Sequence, residues 1–242
     1  MNLLAFDTST ERVSAAVQRG DARWRYDGAG GPQASAALIA ALLDLLAQAD
    51  LALADLDALV FGRGPGSFTG LRTACAVAQG LAFGAALPVL PVDTLLAVAE
   101  AARGKFAAHP AAHVLALLDA RMDEVYAAAY AWTGGVWQPL TGMTVGPPEM
   151  LSLPDDGAHP ADWMLAGNVF TPSVDYGNRL PPPLRTPSRI EAWPAADALL
   201  NLAPARLAQG LAVAAQDALP LYIRDKVALT TAERNAAQAG RP

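Results

Sequence analysis

The chain has 242 residues, 53% of them hydrophobic and 17% charged, with a formal net charge of −6. That length suffices for one large core or two fused small ones, and the acidic balance excludes a global basic field that would draw the chain to nucleic acid or anionic lipid. A single cysteine, Cys75, excludes an internal disulfide framework and fits a reducing cytoplasm.

The opening MNLLAFDTST lacks a cationic n-region and is not read as a signal peptide, and no apolar run is long enough to cross a bilayer without Pro, Gly or charge. LLAFD (3–7), VSAAVQ and ARWRYD, with turn residues between them, predict a three-stranded meander. QASAALIAALLDLLAQAD (33–50) predicts a helix with Leu38, Leu42, Leu45 and Leu46 at helical spacing. Ile39 and Leu43 widen its apolar surface, which implies burial on two sides. LDALVFG (56–62) predicts a buried strand, GRGPGSFTGLR (62–72) a tight corner, and TACAVAQGLAFGAA a second helix. VLPV (89–92) and DTLLAVAEAARGKF follow as strand and helix.

The pattern then begins again. HVLALLDARMDEVYAAAYAWTGGVW (113–137) resembles NLLAFDTSTERVSAAVQRGDARW (2–24), with Asp7 and Val13 matched by Asp119 and Val125 at a common offset of 112 residues. WMLAGN (163–168) stands where LVFGRG stood. An internal duplication predicts two α/β lobes, 1–105 and 106–229, related by a pseudo-two-fold, with 230–242 as a frayed tail. The second copy is less regular. PPPLRTPSRIEAWPAA (181–196) is too Pro-rich for a sheet interior, EAWPAADALLNLAPARLAQ supplies one or two short helices, and PLYIRDKVAL (220–229) reads as a late strand or extended segment.

DTST (7–10) offers Asp7, Thr8 and Ser9 at the end of a buried strand. Such a turn either orients a metal-bound phosphate or caps its own backbone; the four residues alone leave both open. A nucleotide site of this kind wants an Asp-x-Gly turn in the second lobe and a Gly-Gly loop after it. Here Asp119-Ala120-Arg121 and Ala166-Gly167-Asn168 fall short of both. In the corner, Gly62, Gly64, Pro65, Gly66 and Gly70 allow tight turns, Ser67 and Thr69 are N-cap candidates, and helix-start amides beside Arg72 could hold an anion. The corner has neither a P-loop ending nor a nucleophile elbow.

In the next helix Ala74 and Ala78 repeat at four-residue spacing, as do Ala76, Gly80 and Gly84. They leave a flank for close helix approach, within the chain or against another. His109 and His113 have metal spacing, but Pro110 between them breaks the helix the spacing requires. Asp123 and Glu124 read as an exposed turn rather than acid–base machinery, and Cys75 as a buried residue.

LLAFDTSTERVSAAV, GRGPGSFTGLRTACAVAQGLA, VDTLLAVAEAA, LLDARMDEVYAAAY, LAGN and PLYIRDKVA together resemble the TsaB (YeaZ) family over residues 2 to about 228. The resemblance implies an actin-like ATPase (ASKHA, ribonuclease H-like) fold and a bacterial, cytoplasmic protein with no catalytic activity of its own. It implies a heterodimer with TsaD, which transfers a threonylcarbamoyl group to the adenosine beside the tRNA anticodon, and cooperation with the ATPase TsaE. It further implies tRNA reached through the complex and leaves ATP or ADP a place at a complex interface; a homodimeric scaffold that uses the same exposed helices is a further rival reading.

The metal-binding His-x-x-x-His of TsaD falls here on Thr94 and Val98, and no metal is expected. Many family members carry a histidine near the start of the first helix, where Gln33 and Ala34 stand here. The family's dimer surface of first-lobe helices carries over to Leu38, Leu42, Ala74, Ala78 and Phe83, so that Ala78→Trp is expected to block pairing while sparing the fold. Asp7, Thr8, Ser9, Gly64, Gly66, Ser67, Thr69, Gly70, Arg72 and Asp119 are expected to form a structural motif or a nucleotide-sensitive seam. Two rival functions are a stand-alone actin-like small-molecule kinase, which needs both acidic phosphate turns, and a metalloprotease, which needs ligands the sequence does not offer.

Overall fold

A computed structural model describes residues 1–30, 34–106, 112–174 and 176–224. The first half builds β1 (Asn2–Asp7), β2 (Arg12–Arg19), β3 (Ala22–Ala29), α1 (Ala34–Gln48), β4 (Ala58–Gly64), α2 (Phe68–Ala85), β5 (Val89–Asp93) and α3 (Thr94–Arg103). The second builds β6 (Ala112–Arg121), β7 (Glu124–Thr133), β8 (Val136–Pro139), β9 (Thr144–Gly146), β10 (Trp163–Gly167), β11 (Ser188–Glu191) and α4 (Ala196–Ala208).

The sheets run β3-β2-β1-β4-β5 and β8-β7-β6-β10-β11, with β9 beside β7. In each, an antiparallel meander is extended by parallel strands: β1 pairs parallel with β4, and β6 with β10. The two halves therefore share one topology, that of the actin-like, ribonuclease H-like fold. The Pro-rich segment adds only the four-residue edge strand β11, where the missing amide donors of proline cost least.

Both faces of the first sheet are covered, which is why LLAF is apolar without alternation. Leu4 and Phe6 face α1 and α2, while Leu3 and Ala5 face α3 and α4. The inner helices lie between the two sheets, and one cluster runs from Leu3 and Val60 through Leu95 and Leu199 to Leu118 and Tyr130. α4, from the second half, packs on strands of the first; α3, from the first, packs on β6. The first sheet's strands end at Asp93 and the second's begin at Ala112, but the two halves share this core. Among the described residues the second sheet's outer face has no long helix; Leu180, Leu184 and short 3-10 turns cover Leu115, Leu117 and Trp163 instead.

After α4 the chain returns to the first lobe, where Val213 exchanges two backbone hydrogen bonds with Val89 at 2.9 and 2.7 Å. Residues 220–224 form neither strand nor helix, and the Leu221 amide donates to Arg63 O at 2.7 Å. Gln33, His109 and the tail 230–242 lie outside the described residues.

Candidate functional site

The DTST turn and the GPGSFTG corner form one interlocked unit. Thr8 Oγ1 donates to Gly70 O at 2.7 Å, and the Ser67 amide donates to Ser9 O at 2.7 Å. A Cβ at Gly62 would overlap Asp7 Oδ2, at Gly66 it would sit 2.5 Å from Ser9 O, and at Gly70 it would overlap Thr8 O. Close approach is thus what these three glycines supply. Gly64 differs: its φ of +126° needs glycine, and its open side receives Leu221 O. Ser67 is the N-cap of α2, its side chain accepting from the Gly70 amide at 3.5 Å, while Thr69 is exposed in the first turn.

Asp7 is sealed inside this unit. Its Oδ1 accepts from the Ser9 amide at 2.8 Å and the Ser9 hydroxyl at 2.6 Å; its Oδ2 is buried without a partner. Burial pushes the carboxyl up from 3.8 to about 6, with the Ser9 bonds opposing. Of the two readings of DTST, the structure supports the turn that binds its own backbone.

Between the lobes lies a cleft of 480 Å³, lined among others by Ser9, Glu11, Phe68, Asp119, Arg121 and Tyr222. Asp119 faces it but is committed. It accepts from the Arg121 amide at 2.9 Å and Tyr176 Oη at 3.4 Å, and its Oδ2 lies 3.3 Å from the Arg121 guanidinium, which also reaches Glu11 across the cleft at 3.8 Å. Asp7 and Asp119 therefore do not converge on one space. Arg72 is stacked 3.9 Å over Phe68 and donates to Tyr222 Oη at 3.3 Å, so it holds the C-terminal segment rather than an anion at the helix start. No local pattern marks residues 221–224 as a wall of this cleft, because the contacts that bring them there are long-range.

The proposed interface residues separate into two groups. Leu38, Leu42, Ala74 and Ala78 are fully buried against the first sheet, so the expectation that they meet a second chain is corrected; Ala78→Trp would disrupt the core. Phe83 is 82% exposed. Around it the small-residue flank that faces outward is Ala76, Gly80 and Gly84, with open space over both glycines. Beside it α1 presents Leu43, 55% exposed, and Ile39, 41% exposed. The result is an apolar face on two adjacent helices with a shallow, side-chain-poor track.

Thr94 and Val98 are both fully buried; Thr94 Oγ1 accepts from the Gly64 amide at 3.1 Å, and Val98 belongs to the shared core. His113 stacks on Trp163 at 5.2 Å and lies 3.3 Å from Asp156. Among the described residues no cluster of three or more His, Cys, Asp or Glu could hold a metal, and no helix is long and apolar enough to cross a membrane.

A family model described as "TsaD: tRNA N6-adenosine threonylcarbamoyltransferase" matches residues 32–181. The chain is 34% identical over 229 residues to the "tRNA threonylcarbamoyladenosine biosynthesis protein TsaB" of Escherichia coli, covering 94% of this chain and 96% of that one. It is 45% identical over 126 residues to the protein of the same name from Haemophilus influenzae, covering 52% of each. Among solved structures it resembles YeaZ from Pseudomonas aeruginosa with a TM-score of 0.81 and 38% identity, over 91% of this chain and 99% of that one. The chain belongs to the TsaB (YeaZ) family.

Proposed function

We propose that the chain works in tRNA threonylcarbamoyladenosine biosynthesis as an accessory subunit without catalytic activity of its own. It pairs with a TsaD-type transferase and, with a TsaE-type ATPase, supports threonylcarbamoyl transfer to the adenosine beside the anticodon. Contact with tRNA runs through the complex, in the cytoplasm, and ATP or ADP acts at a seam between subunits.

The observation that carries this reading is the outward apolar face of α1 and α2. An exposed phenylalanine beside two glycines is costly to leave in water and suited to a helix packing closely across it. The same face serves self-association when no partner is present. A stand-alone kinase has less support, because Asp119 is occupied by Arg121 and Asp7 is closed off.

The test is tRNA modification in a mixture of a TsaD-type enzyme, a TsaE-type ATPase, ATP, tRNA and a threonylcarbamoyl-adenylate source, with and without this chain. Modified adenosine should form only with the chain present. Equal modification without it would sink the proposal.

A further inference from the structure

Three arginines and two carboxylates meet where α3, α4 and the β7–β8 hairpin come together. Glu100 is buried, and its two oxygens accept from Arg103 Nε and Nη2, each at 2.7 Å, from Trp137 Nε1 at 2.9 Å and from Asn201 Nδ2 at 3.1 Å. Asp93 is held by Arg63 Nε at 2.6 Å. Both acids are committed, and the third arginine, Arg206, is left over. Its guanidinium has no hydrogen bond or ion pair among the described residues, and its Nε is enclosed without a partner.

An enclosed guanidinium donor with no acceptor is costly, and a surplus cation in such a place calls for a counter-charge. Burial pushes Arg206 below the usual arginine range; Asp93 opposes this and Arg63 adds to it. Tyr130 Oη, whose surroundings include the charges of Asp93, Arg206 and Arg63, is a second buried polar atom without a partner.

Arg206 also lines an 80 Å³ pocket whose walls include Leu96, Trp132, Trp137, Leu202 and Gln209. A water's share of liquid volume is about 30 Å³, so the pocket suits an acetate- or phosphate-sized group and is too small for a nucleotide. Water could satisfy Arg206 Nε but would leave the charge uncompensated.

We propose that this pocket binds a small oxyanion, a carboxylate or inorganic phosphate, on Arg206. The site lies apart from the interlobe cleft and the outer face of α1 and α2. The planar guanidinium suits two oxygens of one anion; Arg103 lines the same pocket, and the Glu100 carboxylate that also lines it is already engaged by four donors.

The experiment is thermal unfolding of the full chain at constant ionic strength, with chloride replaced stepwise by acetate or by phosphate, on the parent, Arg206→Met and Arg206→Lys. Parent Tm should rise by roughly 3–6 °C at ten times the anion's Kd. Arg206→Met should unfold at or above the parent's Tm without anion and show no response; Arg206→Lys should retain a weaker one. The anion should also change tryptophan fluorescence in the parent but not when Trp132 and Trp137, the two tryptophans of the pocket, are both replaced by phenylalanine. No anion dependence in the parent, or an equal response in Arg206→Met, overturns the proposal.

Discussion

Thr8 Oγ1 and the Gly70 carbonyl are joined at 2.7 Å although they lie 62 residues apart. The bond exists because Gly62, Gly66 and Gly70, one every four residues, present no side chain to the DTST turn. Each of these glycines is first a packing requirement. Gly70→Ala should therefore cost about 3 kcal/mol or more, since its Cβ would meet backbone rather than a movable side chain. Urea unfolding checks this, and a loss below about 1 kcal/mol would mean that the two segments separate easily.

Asp7 gives the protein a pH dependence of unusual sign for an aspartate. The folded carboxyl keeps its proton up to about pH 6 and the unfolded one only to 3.8, so the folded state binds more protons between them. This contribution to stability is complete below 3.8 and is lost as pH rises through about 6. It amounts to something on the order of 3 kcal/mol. Asp7→Asn keeps an acceptor for Ser9 and removes the buried charge. It should match the parent near pH 4 and exceed it by on the order of 1–3 kcal/mol at pH 8. Parallel stability curves for the two proteins would refute the assignment.

The repeated meander, the succession of strands and helices, and an N-cap at Ser67 or Thr69 were legible because they rest on local pattern: apolar runs, repeated spacing and a hydroxyl before a helix. The outward-facing side of α2 was not. Ala74/Ala78 and Ala76/Gly80/Gly84 are both small and both at four-residue spacing, with no polarity difference to mark which row lies on the sheet. Leu38 and Leu42 were misplaced for the same reason, since α1 is apolar around most of its circumference. The closure of Asp7 was equally hidden, because Gly62, which lies against its carboxylate, comes from far along the chain.

That correction changes which substitution tests the partner face. Ala78→Trp places a large ring in a fully buried position and should unfold the chain or cost more than about 3 kcal/mol. Gly80→Trp projects into open space and should leave the urea midpoint within about 0.5 kcal/mol of stability once the helix preference for non-glycine is included. If the outer face binds a TsaD-type partner, Gly80→Trp and Phe83→Asp should each weaken co-elution by roughly 30-fold or more, as central interface residues do. Undiminished pairing in both variants would move the interface elsewhere.

The hairpin between β6 and β7 places three consecutive non-glycine residues in the left-handed region: Arg121 at φ +60°, Met122 at +56° and Asp123 at +62°. Each costs roughly 1 kcal/mol or more relative to an ordinary conformation. The surrounding contacts favour this shape. Arg121 is aimed at Asp119 and, across the cleft, at Glu11; Asp123 meets Arg179 at 3.0 Å; and Arg224 pairs with Glu124 while reaching Met122 Sδ at 3.6 Å. Met122 is 60% exposed, so its side chain contributes little burial against the backbone cost. Asparagine tolerates the left-handed region better. Met122→Asn should stabilise the chain by about 0.5–1 kcal/mol and raise Tm by roughly 1–4 °C. A fall in Tm would show instead that the Met122 contact with Arg224 outweighs the strain, and that the C-terminal segment depends on this hairpin for its place in the cleft.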